Sequence, residues 1–123
     1  MKKLLCFSML ALSLTATSLA TAQDYPVRPI KMIVPFPPAG GTDNVARIFA
    51  QQVSQDLGQS IIIENRAGAG GNLSAELVLR SPADGHSIWV TTHAMFTINP
   101  SAYPELRWKQ TDFKPIAKGI ESP

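Results

Sequence analysis

The 123-residue sequence has a single cysteine, Cys6, and the 101 residues that follow position 22 have none. That part of the chain has no disulfide to hold it, so its stability must come from packing. It also lacks an excess of charge of either sign. Setting Lys2 and Lys3 aside leaves 9 basic residues against 9 acidic ones, so the chain's net charge of +2 resides at its start. This removes the electrostatic reason to expect nucleic acid or an anionic membrane as partner. No uninterrupted apolar run reaches the roughly 20 residues that a bilayer requires, and there is no internal repeat or low-complexity tract. A Gly-x-Ser-x-Gly nucleophile turn is missing. His86 and His93 have no partner at metal-ligand spacing. With that inventory we expect no metal, no cofactor and no enzymatic activity.

The first 22 residues have the layout of a secretory signal. Lys2 and Lys3 are basic, Leu4 to Leu14 is mostly apolar, and Ala20-Thr21-Ala22 offers small residues for cleavage. We expect cleavage after Ala22 and an exported, periplasmic product. The alternative, a membrane anchor, is opposed by Ser13, Thr15, Thr17 and Ser18, which break the run early. Cys6 stands at the head of the apolar run with no complete targeting segment before it, so lipidation there is not expected.

Beyond position 22 the chain alternates. Gln23 to Pro29 reads as an extended lead-in, because Pro26 and Pro29 oppose a helix. Ile30 to Val34 reads as a buried parallel strand, ended by Pro35-Phe36-Pro37-Pro38. From Asp43 to Leu57, Val45, Ala46, Ile48, Phe49, Val53 and Leu57 recur at helical spacing. Thr42 or Asp43 can cap that helix, and Gly58 can end it. Ser60 to Glu64 predicts a second strand. Asn72 to Arg80 predicts a second helix with Leu73, Leu77 and Val78 inward, and Ser87 to Thr92 a third strand. Asn99-Pro100 and Tyr103-Pro104 mark turns, Trp108 to Phe113 reads as irregular, and Lys114 to Ile120 as a further short strand. The expected class is α/β, with right-handed crossovers building a parallel sheet that carries helices on both faces.

Two glycine clusters, Ala39-Gly40-Gly41-Thr42 and Gly68-Ala69-Gly70-Gly71-Asn72, fall where a strand's carboxyl end enters a helix, the rim at which such sheets bind ligands. Glycine permits close backbone approach, and the first helical N–H groups lack internal partners beside the positive end of the dipole. A small organic anion suits that environment. Tight turns made only for packing are the bland alternative. Nucleotides fit poorly: no Lys follows either glycine pair, and the third glycine of a dinucleotide fingerprint would fall at Leu73. Asp43 is either a helix cap or a group facing a ligand's ammonium or hydroxyl. His93 follows the third strand on the ligand-facing rim and is a further candidate contact.

A wider set of residues carries a family resemblance: Tyr25-Pro26, Pro29-Ile30, Ile33-Val34-Pro35-Phe36, Gly40-Gly41-Thr42-Asp43 with Ala46-Arg47, Glu64 through Asn72, Ala83-Asp84-Gly85, Asn99-Pro100, and Asp112 through Ile116. In order and spacing they resemble the extracytoplasmic receptors of tripartite tricarboxylate transporters, the Bug proteins. The resemblance implies a periplasmic-binding-protein-like (type II) fold. Residues 1–22 would be the signal and 23–123 the first lobe of a two-lobe clamshell, incomplete because the second lobe is absent. It implies a monomer that captures a small carboxylate (a di- or tricarboxylate, acidic amino acid or aromatic acid) and hands it to a membrane permease. Carried onto matching positions, the ligand-binding residues would be Ala39, Gly40, Gly41, Thr42, Asp43, Ala69, Gly70, Gly71 and Asn72. Ser74 stands where the family usually has glycine, and His86 where it commonly has an aromatic residue. The alternative is a truncated exported module without solute binding.

Overall fold

The computed structural model describes residues 24–120; the expected signal at 1–22 lies outside them. Strand β1 (Ile30–Val34) leads to helix α1 (Gly41–Leu57), β2 (Ile61–Asn65), a 3-10 turn (Ala69–Gly71), α2 (Asn72–Arg80) and β3 (Ser87–Trp89). Two single-turn helices follow, α3 (Ala94–Thr97) and α4 (Asn99–Ala102), then a second 3-10 turn (Gln110–Asp112). The sheet is parallel in the order β2-β1-β3, with Met32 paired to Ile63 on one side and to Ile88 on the other.

Because β1 is central, both its faces are covered, and this is why Ile30 to Val34 is apolar almost throughout. Ile30, Ile33 and Val34 are fully buried, each worth roughly 1.5–3 kcal/mol of apolar burial. Met32 and Val34 pack with Ala46 and Ala50 of α1, joined by Ile61, Ile63 and Val90. On the opposite face Ala75 of α2 packs with Met95 and Trp108, bordered by Trp89, Phe96, Leu106 and Phe113. Trp89 makes three ring contacts on that face, at 4.7–5.8 Å from Phe113, Phe96 and Trp108.

The lead-in is tied to the rim where the strands begin. The Tyr25 hydroxyl donates to the Gly85 carbonyl at 2.7 Å, its ring meets His86 edge-on, and Arg28 pairs with Asp84. His86 is buried here, and its backbone N–H donates to the Asp84 carboxylate. Together with Arg28 this holds the Asp84 carboxyl at about 2, below its ordinary value.

Several expectations need correction. The segment from Lys114 to Ile120 forms no strand; it runs past α1, with Gly119 against the Phe49 ring. β3 ends at Trp89 rather than Thr92. Val90 still donates to Ile33, but β1 stops at Val34 and the next residue, Pro35, has no N–H to continue a ladder. Leu73 is 54% exposed, while Ser74 and Ala75 face inward. Asn99-Pro100 lies inside α4, where proline is tolerated in the first turn. α1 begins two residues early, capped by Gly40 with no side-chain hydrogen bond, so neither Thr42 nor Asp43 caps it. Gly58 does close it, at φ 64°.

Candidate functional site

Because β1 and β2 are neighbours and parallel, the loops leaving their carboxyl ends lie side by side. Asn65, the last residue of β2, stitches them together. Its side-chain amide donates to the Phe36 carbonyl at 3.0 Å and to an Asp43 carboxylate oxygen at 2.8 Å. In register with Val34, Asn65 projects to the α1 face, where that carboxylate waits.

Asp43 is 1% exposed and anchors the first loop. Its carboxylate accepts from the Ala39 N–H at 2.8 Å, from Asn65, and twice from the Arg47 guanidinium one helical turn on. The Arg47 bonds, then Asn65 and Ala39, hold its pKa at about 2 against an ordinary 3.8. A carboxylate at a helix start competes with any incoming anion for the helix N–H groups. Here it does not occupy them, because charge-assisted bonds to Arg47 satisfy it more strongly than neutral donors could. The Gly40 N–H closes the turn over Pro38-Ala39, whereas those of Gly41, Thr42 and Asp43 find no acceptor among the described residues. Ala39, Gly40 and Gly41 are exposed and Thr42 is half-buried.

The second loop is built differently. Four successive residues have positive φ: Gly68 (131°), Ala69 (48°), Gly70 (63°) and Gly71 (90°). The glycine at 71 is required, because a Cβ there would lie 2.7 Å from the Met95 sulfur and 2.9 Å from Pro35. Gly71 and Asn72 are buried, whereas Ala69 and Gly70 are exposed, and the N–H groups of these two find no acceptor among the described residues. Asn72 is 7% exposed. Its side-chain oxygen accepts from Asn99 at 2.7 Å and from the Trp108 indole at 3.3 Å. A side chain at Gly70 would meet the Tyr103 ring and hydroxyl before any ligand. Beside this loop a hollow of about 320 Å³ is lined by Ala69, Asn72, Glu76, Tyr103 and Arg107 among others. The third candidate region, His93, is exposed on the same rim after β3, its carbonyl accepting from Phe96 and Thr97.

The expected site residues thus share one rim in two roles. Gly41, Thr42, Ala69 and Gly70 carry unpaired N–H groups on exposed or half-buried backbone; the side chains of Asp43 and Asn72, with Gly71, lie beneath as support. His86 is at the opposite rim. Sequence reasoning missed Arg47, Asn65, Ser74, Asn99 and Trp108 as supports. Only Arg47 left a readable signal, its position four residues after Asp43 on one helix face. Among the described residues no group of three His, Cys, Asp or Glu side chains could hold a metal ion, and no helix is long and apolar enough to cross a membrane.

Residues 45–123 match the model of the "Tripartite tricarboxylate transporter family receptor". Protein BugT of Bordetella pertussis is 41% identical over 72% of this chain and 28% of its own length. MatC of Rhodopseudomonas palustris, solved with bound malate, is 38% identical with a TM-score of 0.66 over 69% of this chain and 29% of that one. An R. palustris protein solved with adipate is 42% identical, with a TM-score of 0.52 over 53% of this chain and 22% of that one. The chain spans between 21 and 36% of the length of the curated relatives it matches.

Proposed function

Since the chain belongs to the tripartite tricarboxylate transporter receptor family, we propose that it captures a small carboxylate in the periplasm for delivery to a membrane permease, with no chemistry performed on the ligand. Residues 23–123 would serve as one lobe of a two-lobe receptor. The observation that carries this reading is the double row of unpaired N–H groups, Gly41 and Thr42 and then Ala69 and Gly70, on adjacent loops of one sheet rim. Such groups receive an anion without having to reorganise. Neutralisation of Asp43 by Arg47 keeps the rim from repelling a carboxylate. Malate and adipate, the acids held by two similar proteins, support a ligand of that size. His93 would contribute from the neighbouring β3 exit, and Ala39 through the turn it forms.

Amide-resolved NMR of the chain, titrated with malate and with adipate, tests the proposal. Shifts should concentrate at Gly41 and Thr42 and at Ala69 and Gly70. A response confined to other residues, or none at millimolar ligand, overturns it.

A further inference from the structure

Tyr103 leaves α4 and stands over the second loop. Asn99 fixes both partners: its carbonyl accepts from the Tyr103 N–H at 2.9 Å, and its side-chain amide donates to Gly70 O at 3.0 Å. The Tyr103 carbonyl in turn accepts from the Leu106 N–H at 3.1 Å, so the residue is held on both sides. Tyr103 is half-buried, and its ring takes the place that a side chain at position 70 would need. A Cβ on Gly70 would lie 2.8 Å from Tyr103 Cζ and would overlap the hydroxyl oxygen. The oxygen is therefore within about 4 Å of the Gly70 Cα and within about 5.5 Å of the Gly70 nitrogen.

This hydroxyl is not committed elsewhere: it makes no hydrogen bond among the described residues. The buried side-chain atoms without a partner there are His86 Nε2 and Thr91 Oγ1, so the Tyr103 oxygen is open to the hollow that it lines with Ala69 and Asn72. The charged groups of that lining do not repel an anion as a set, since Glu76 is paired with Arg80 and Glu105 is offset by Arg107. A single carboxylate oxygen accepting from an N–H at about 2.9 Å and from an O–H at about 2.7 Å bridges donors up to about 5.6 Å apart. The Gly70 nitrogen and the Tyr103 hydroxyl fall within that span. We propose that Tyr103 contacts the ligand directly: its O–H and the Gly70 N–H close on one carboxylate oxygen, adding a side-chain donor to a grip otherwise made of backbone. An O–H given to a carboxylate is charge-assisted, and so stronger than a bond between neutral groups. The inference rests on the function proposed above and deepens it by one residue.

The chain has two tyrosines, Tyr25 and Tyr103, and Tyr25 is engaged with the Gly85 carbonyl at the opposite rim. A chain isotope-labelled at tyrosine Cζ therefore carries one NMR probe at the site and one reference away from it. Malate should move the Tyr103 signal in step with the Gly70 amide and leave the Tyr25 signal in place. Tyr103→Phe keeps the ring over Gly70 and identifies the signal by its loss. It should weaken malate and adipate binding alike, by about tenfold, the scale of one hydrogen bond to a charged group, with thermal stability unchanged. The labelled wild type decides the matter even if the variant does not fold. Amide shifts at Ala69 and Gly70 beside a stationary Tyr103 signal overturn the inference and leave the function standing, as does a Tyr103→Phe chain that binds as tightly as the wild type. A wild-type chain whose amides do not respond to malate overturns the functional proposal itself, and the Tyr103 contact with it.

Discussion

The two glycine loops present the same chemical face and are held by opposite means. The first hangs on a charge: one buried carboxylate collects Ala39, Asn65 and Arg47, and its glycines sit in open space or ordinary contact, with φ unremarkable at Gly40. The second hangs on shape and neutral hydrogen bonds, with four positive φ values packed against Met95, Pro35 and Tyr103. Identical-looking sequence clusters therefore have different sensitivities. Glycine is dispensable in one and obligatory in the other, while pH acts on one and not the other.

The sharpest way to break this contrast is to add a methyl group in each loop. Gly71→Ala forces an L side chain into φ 90° and against Met95 and Pro35, and should cost about 3 kcal/mol or more in urea unfolding. Gly41→Ala meets nothing within 4 Å at the start of α1 and should be neutral or stabilise by up to about 1 kcal/mol. Equal costs would erase the distinction.

Next in size, Asn99→Ala strips the donor from two acceptors, the part-buried Gly70 O and the buried Asn72 side-chain oxygen. It should cost about 1–3 kcal/mol, by the same amount at pH 7 and at pH 3.

The smallest and most selective effect belongs to Asp43→Asn. Asp43 has its folded pKa lowered to about 2 from 3.8. Its contribution is therefore fully present above the ordinary value and is lost as pH falls through about 2. Stability measured across pH should show the wild type ahead of Asp43→Asn above about pH 4, with the gap closing toward pH 2. Asp84 titrates in the same window in both proteins and cancels. A gap that persists below pH 2 would mean that shape, not charge, holds the first loop.

The elements of the sheet were legible because their signals are local. The β-branched and apolar runs at 30–34 and 60–64, the helical spacing through α1 and α2, and glycines at strand-to-helix exits all act within a few residues of themselves. The alternation of faces followed once the register was known. What remained hidden acts across distance. Asn99 meets Gly70 at a separation of 29 residues and Trp108 meets Asn72 at 36, and no periodicity links such pairs. α3 and α4, at four residues each, are shorter than the window in which a helical period can be detected. Ser74 departs from a glycine usual in the family, and nothing local to it signals that its hydroxyl lies between Gly71 and Trp89. The Lys114 to Ile120 error has the same origin, since a strand is defined by a partner that the segment's own residues do not reveal.

The tether at the chain's lead-in has a mechanical consequence. Tyr25 and Arg28 fasten to Gly85 and Asp84 on the rim where the strands begin, whereas the loops leave the other rim, about 17 Å away for a five-residue strand. A load applied before Asp24, from a surface attachment, a fused partner or a pulling probe, is taken up at that fastening and enters the sheet at the starts of β1 and β3, on the rim away from the loops. The start of the lead-in is thus a handle by which the molecule can be immobilised or labelled with its anion-facing rim left unencumbered.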